Sequence, residues 1–388
     1  MNRSSRLRIF VSGMVAGAPG QGGASWAVLQ YVLGFQRLGH DVYLVEPIDD
    51  ASISPSDGPL DRSDGAAYLR RLVDRFDLAG RAALVRAGTT EAVGVTHGRL
   101  RRAAEHADLL INISGMLTDA RLTEPIRVRV YLDLDPAFNQ LWHAVEGIDM
   151  RFEGHSHFVT VGQAIGTPSS SVPTAGRRWI PTLPPVVLGE WPAADRIERD
   201  AWTTVGNWRG YGSIEHGGVV YGQKAHSLRE FIALPRLTDE RFELAMAIHP
   251  SETPDLEALL ANGWKLTDPR AVAGTPDAYR AFVRGSKGEL GIAKSGYVLS
   301  RCGWFSDRSA CYLASGRPVI AQETGFSSFL PTGKGLFAFE GTPDILAATE
   351  AISADYDGHA RAARSLAEEY LDSDRVLGGL LERVGGAA

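Results

Sequence analysis

The sequence predicts an α/β protein made of two doubly wound halves, and three observations carry that prediction. Short apolar runs alternate with helix-period segments along almost the whole chain, which is the pattern of a mostly parallel sheet with helices on both faces. The apolar runs end in Gly, Ser, Asp or Asn, the polar loops that open α/β sheets present at their carboxyl ends. Third, Pro181, Pro184, Pro185 and Pro192 interrupt the alternation near the middle of the 388 residues, and it restarts beyond them. A proline cluster stiffens an extended crossing and excludes helix, so residues 184–200 read as a linker. The expected organisation is therefore a first domain at 1–183, a second at 201–370, and a helix at 371–388 that crosses back to the first domain.

Taken in order, Leu7–Ser12 is a buried strand, and the glycine-rich loop Gly13–Gly23 follows it. A helix over Ala24–Leu38 carries Trp26, Leu29, Leu33 and Leu38 on or near one face and stops at Gly39. Asp41–Val45 is the second strand. The glycine spacing does not fit the dinucleotide fingerprint, so the loop is only a weak phosphate signal. Helices follow at Gly65–Phe76 and Thr96–His106, with strands at Ala82–Val85, Leu109–Ile113, Val128–Leu132 and His157–Val161. The second half repeats the scheme. Its strands are Trp202–Val205, Phe242–Ile248, Leu290–Ala293, Arg317–Ala321 and Leu336–Phe339. Helices lie between them at Gln223–Leu234, Pro254–Asn262, Pro276–Arg284 and near Ser306–Ser315, and three more close the chain at Thr342–Ser353, Gly358–Leu371 and Ser373–Val384.

Composition sets limits. A hydrophobic fraction of 44% and a charged fraction of 22% are ordinary globular values. The net charge of −6 offers no basic excess for neutralising phosphates, so no nucleic-acid partner is expected. Two cysteines, Cys302 and Cys311, support neither a disulfide framework nor a zinc site, which makes a cytoplasmic protein the expectation. The apolar run after Met1–Arg6 is too short for a signal peptide, and no run approaches a membrane span. Only five lysines occur (Lys224, Lys265, Lys287, Lys294, Lys334), so each is worth inspecting.

The most informative stretch is Ala293–Leu330. A Gly- and Ser-bearing loop leads into a short helix capped by Ser306 or Asp307, Gly316 stops it, and a buried strand ends in Glu323-Thr324-Gly325. The free amides and positive dipole end at Ser306–Ser309, with Arg308 beside them, form a seat for a phosphate.

The string Gly303-Trp-Phe-Ser-Asp-Arg-Ser309, then Ala314-Ser-Gly-Arg-Pro-Val-Ile-Ala321 and Thr324-Gly325, together with the Gly22-Gly23 loop, resembles the glycosyltransferases of the GT-B fold. The resemblance implies two Rossmann-like doubly wound domains facing a cleft, with the C-terminal helices packing back. It implies a nucleotide-sugar co-substrate held mainly by the second domain, no separate cofactor and no metal. It also implies an acceptor bound by the first domain, a small molecule as in natural product biosynthesis, and a monomer or homodimer. Many retaining members carry paired glutamates flanking the donor helix, the second holding the ribose. The matching positions here are Gly303 and Cys311, which leaves Glu323, Asp307 or a backbone contact for that task.

Separating a cationic sugar from a diphosphate calls for cations and amides at the leaving phosphates. Gly22, Gly23, Gly206, Asn207, Lys224, Lys294, Ser306, Asp307, Arg308, Ser309, Glu323 and Thr324 are the candidates for donor binding. Asp135, just past a strand in Asp133-Leu134-Asp135-Pro136, is the candidate general base. His143 is a second candidate, with His155 and His157 behind it. Tyr211, Tyr297, Trp202, Trp208, Trp304 and Phe305 offer rings for stacking or cleft wall. Two other readings of the same scaffold are a nucleotide-sugar epimerase, which needs several carboxylates and a histidine converging in the cleft, and a non-catalytic binding protein.

Overall fold

The computed structural model describes residues 6–56 and 58–385. The first lobe is built on strands β1 (Arg8–Ser12), β2 (Asp41–Ile48), β3 (Ala82–Arg86), β4 (Ala92–Gly94), β5 (Leu109–Ile113), β6 (Val128–Asp133), β7 (His157–Thr160) and β8 (Trp179–Pro181). They form one sheet in the order β4-β3-β2-β1-β5-β6-β7-β8, parallel except for the antiparallel pair β3–β4. The second lobe contains β9 (Arg199–Asn207), the small hairpin β10 (Ile214–His216) and β11 (Val219–Tyr221), then β12 (Phe242–Ala247), β13 (Lys265–Thr267), β14 (Ser286–Gly291), β15 (Val319–Gln322) and β16 (Leu336–Phe339). Its sheet is all parallel in the order β13-β12-β9-β14-β15-β16. In both sheets the strand order reverses beside the first strand, β1 or β9, and that is where an open α/β sheet leaves a crevice at its carboxyl edge.

The mechanism that writes these strands is visible in their burial. The inner strands β1, β5 and β15 are buried almost throughout and are mostly apolar, with Asn112 the one polar residue inside β5. β15 starts at Val319 and not at Arg317 because Gly316, at φ +67°, ends the preceding helix and Pro318 has no N–H for the ladder. The short β4, β8 and β13, and the hairpin inside the long loop after β9, have no signature in the sequence, since runs of three residues carry no period.

The proline-bearing segment does more than cross between lobes. Val186 donates its N–H to the Leu371 carbonyl (2.7 Å) and accepts from Ser373 N–H (2.9 Å), so the outward and return crossings lie side by side. The helix Ser373–Gly385 then rests on the first lobe's helix Gly22–Arg37, where a side chain at Gly34 would meet Leu377 at 2.5 Å. The two lobes share one continuous core. Trp26 packs edge-on against Trp191 (5.0 Å between centroids) and Trp191 against Tyr279 (6.0 Å), while Trp26 Nε1 donates to the Pro276 carbonyl at 2.8 Å.

Candidate donor site in the cleft

Gly22 and Gly23 stand where the two lobes are in contact. An added Cβ at Gly22 would lie 2.2 Å from the Thr275 carbonyl oxygen, and one at Gly23 would lie 2.9 Å from the Tyr279 ring. The pair thus serves close packing between lobes, and Gly23 also lines the cleft. The amides earlier in the loop are already occupied. Val15, Ala16 and Gly17 donate to the buried Glu46 carboxylate at 2.9, 2.6 and 2.7 Å. Burial pushes the Glu46 acid up to about 7 against the opposing effect of those three donors. The glycine-rich loop is therefore held by an internal carboxylate, leaving those three amides unavailable to a phosphate. An acidic residue inside the apolar run of β2 was the sequence signal for this contact.

Across from that loop lies a cavity of about 300 Å³, walled by Gly20, Gly23 and Ala24 from the first lobe and by Gly206, Asn207, Asp307 and Arg308 from the second. Gly206 and Asn207 end β9; Asp307 and Arg308 open the helix Asp307–Ala314. Ser306 is the N-cap, its Oγ accepting from Arg308 N–H at 3.2 Å, and Ser309 is buried in the same first turn. The Arg308 guanidinium pairs with the wholly buried Glu289 on β14 and donates to the Val205 carbonyl at 3.0 Å. Lys224 begins the helix Lys224–Glu230 and reaches the same spot. A Cβ placed on Gly206 would sit 3.5 Å from Lys224 Nζ and 3.9 Å from Arg308 Nη1. Lys224 is buried and makes no salt bridge among the described residues. Burial, and next the neighbouring Arg308, hold its ammonium well below the usual lysine range. Burial likewise raises the Asp307 carboxyl.

Lys294 is elsewhere. Its Nζ lies 2.9 and 3.0 Å from the two carboxylate oxygens of Asp135, across the gap between lobes. Tyr211 and Tyr297 also donate their hydroxyls to Asp135, and the ammonium sits over the Tyr211 ring at 4.3 Å. Asp135, the expected base, is thus held by a cation and two phenols. Behind it the buried Asp133 accepts from Asn139 (2.6 Å), Gln140 (2.7 Å), Thr160 (2.8 Å) and the Asp135 N–H (3.0 Å), and burial moves its acid up to about 6. Both carboxylates of the Asp-Leu-Asp string are therefore taken by protein donors. His143 lies apart, tilted on Phe152 (4.7 Å between centroids), with its Nδ1 buried and unpartnered. His155 Nε2 faces Asn112 Nδ2 at 3.0 Å.

Glu323 accepts from Gly325 N–H, and Thr324 donates to the Trp304 carbonyl at 2.5 Å; both close the turn after β15. Cys311 is buried and takes a 3.7 Å contact from Gln30 Nε2 of the first lobe, so it belongs to the lobe contact. Of the candidate donor residues, the structure gathers Gly23, Gly206, Asn207, Asp307 and Arg308 around one cavity, with Lys224 buried behind its Gly206 wall. Glu289 is the member that sequence reasoning missed; a carboxylate in a buried strand was its only sign.

No protein-family model matches the sequence, and no curated protein is similar to it. Solved structures are similar in fold. An alpha-glucosyltransferase in complex with UDP-glucose and DNA containing an abasic site has a TM-score of 0.60 at 12% identity, covering 98% of this chain and 99% of that one. Anabaena HepE in complex with UDP-glucose has a TM-score of 0.60 at 12% identity, over 98% of this chain and 100% of that one. A glycosyltransferase from Rickettsia africae gives 0.53 at 12%, over 98% of each chain. Likeness at this identity shows the fold, and the chain has the GT-B architecture. It also corrects one expectation. A small-molecule acceptor with nucleic acid excluded does not stand, because the same fold is found in an enzyme solved with DNA. Net charge sums over the whole surface and says nothing about a local cationic face. Among the described residues, no helix is long and apolar enough to cross a membrane.

Proposed function

We propose that this protein is a glycosyltransferase that takes its sugar from a uridine-diphosphate donor bound in the cleft between the lobes. The observation that carries this reading is the pair Lys224 and Arg308 converging on Gly206, a buried cation pair with one carboxylate, Glu289, in direct contact. A desolvated lysine next to a guanidinium is unfavourable until an anion arrives, and a diphosphate at the mouth of the helix Asp307–Ala314 supplies it. Charge that develops on the leaving phosphates meets donors already in position. The uridine donor is suggested by the UDP-bound structures that share the fold.

In the step itself the anomeric C–O bond to the diphosphate breaks and a bond to an acceptor oxygen forms. The acceptor proton must leave. Asp135 is committed to Lys294 and two tyrosines, which favours the departing diphosphate as proton acceptor. The cavity is lined by one carboxylate, Asp307, and no histidine, which favours transfer over epimerisation.

Calorimetry with UDP and UDP-glucose tests the proposal. Lys224→Met removes a buried charge without orphaning a partner, and loss of one charge-assisted contact should weaken binding roughly tenfold or more. Arg308→Ala should do the same, although it also strands Glu289. Unchanged affinity in both folded variants, or no binding to the native protein, overturns the assignment.

A further inference from the structure

A second concave surface lies away from the cleft. It is a groove of about 940 Å³ at the amino ends of β6 and β7 and along the edge strand β8. Asp133 and Asp135 mark the other end of β6, one strand length away, roughly 17 Å at the usual rise per residue. Four arginines line it, Arg127, Arg177, Arg178 and Arg383, with His157 and Trp179 between them, and none of its lining residues is acidic. In a chain of net charge −6 such a concentration is a local feature and not general basicity.

These guanidinium groups are poorly compensated. Arg127 and Arg178 are exposed and make no salt bridge or side-chain hydrogen bond among the described residues. Arg177 pairs only with Glu153, whose side chain is 88% exposed, and its Nε is buried with no acceptor. Its guanidinium rests over the Phe158 ring at 5.2 Å. Arg383 spends its donors on the Gly379 and Pro181 carbonyls, neutral partners, and burial lowers its pKa.

We propose that this groove is a second ligand site, for a molecule presenting two or more phosphate groups. Guanidinium forks match phosphate oxygens bidentately, and a cavity of this size takes a ligand larger than a single phosphate.

The test uses the full chain and a short fluorescein-labelled single-stranded oligonucleotide, followed by anisotropy and competed with inorganic tripolyphosphate. Saturable, salt-sensitive binding is expected. The double variant Arg127→Ala/Arg178→Ala should weaken it roughly tenfold or more and flatten its salt dependence. Its melting temperature and UDP affinity should stay at native values. Tighter binding of the oligonucleotide than of tripolyphosphate identifies a polymeric ligand, and the reverse a small phosphorylated one. Absence of saturable binding of both probes, equal binding by the double variant, or loss of binding in Lys224→Met, which would put the probe in the cleft, overturns the proposal.

Discussion

Lys294 Nζ and Asp135 Oδ1, 159 positions apart in the chain and on opposite lobes, are 2.9 Å from each other. Tyr211 and Tyr297 complete the contact from the second lobe. The cluster acts as a clamp between the lobes, separate from the Trp26–Trp191 core. Both side chains are mostly buried, at 22% and 24% exposure. Lys294→Met and Asp135→Asn should each lower unfolding free energy by about 1–3 kcal/mol, and the double variant by less than their sum. Denaturant unfolding in a double-mutant cycle checks this, and strict additivity would remove the clamp.

Lys224 makes a proton-linked prediction. In the free protein its pKa is depressed, first by burial and next by Arg308. A bound diphosphate must raise it, so binding takes up a proton between the two values. Affinity for UDP should therefore be highest below the free pKa and fall as pH rises through it. Calorimetry in buffers of different ionisation enthalpy measures the proton uptake. In Lys224→Met the uptake should vanish, and the fold should be no less stable, because a desolvated charge has gone.

Gly206→Ala separates binding from folding. The new methyl would stand at ordinary contact distance from Lys224 Nζ and Arg308 Nη1, 3.5 and 3.9 Å, so the fold accommodates it. It would, however, occupy the space between the two cations. Native melting with UDP affinity reduced roughly tenfold is expected, since close backbone approach to a phosphate is what glycine permits. Unaltered affinity would place the diphosphate elsewhere.

Glu46 gives a pH dependence of stability with a definite sign. Its acid is raised by burial from the ordinary value to about 7, so the folded state holds a proton that the unfolded state releases above its lower pKa. Stability should fall as pH climbs from about 4.5 to 7 and level off beyond, by about 3 kcal/mol for this group. In Glu46→Gln that slope should disappear, at the cost of the Ala16 N–H bond, which would then face an amide donor. Urea melts at several pH values decide it.

Much of the fold was legible because its elements are locally encoded. Leu109–Ile113 and Leu336–Phe339 are found as strands at the bounds their apolar runs indicate, and the last helix begins at Ser373, although the side chain that accepts from its first-turn Asp374 N–H is that of Asp372 and not of Ser373. Residues that meet only after folding were not legible in this way. Asp135 sits past a strand end and looks like a base, yet its chemistry is set by Lys294, Tyr211 and Tyr297 from the other lobe. Gly22 and Gly23 look like a phosphate loop, but the backbone of Thr275 and the ring of Tyr279 explain them.

By itself the sequence determined two βαβ series, their order, the prolines between them and the capped helix at Ser306. These follow from short-range periodicity, turn chemistry and capping, which need no partner. Tertiary structure decided which charges are free. Lys294 is spent on Asp135, the loop amides on Glu46 and Arg308 on Glu289, while Lys224 is left beside Arg308 with no salt bridge among the described residues, because ion pairing depends on distances that only the packed lobes set.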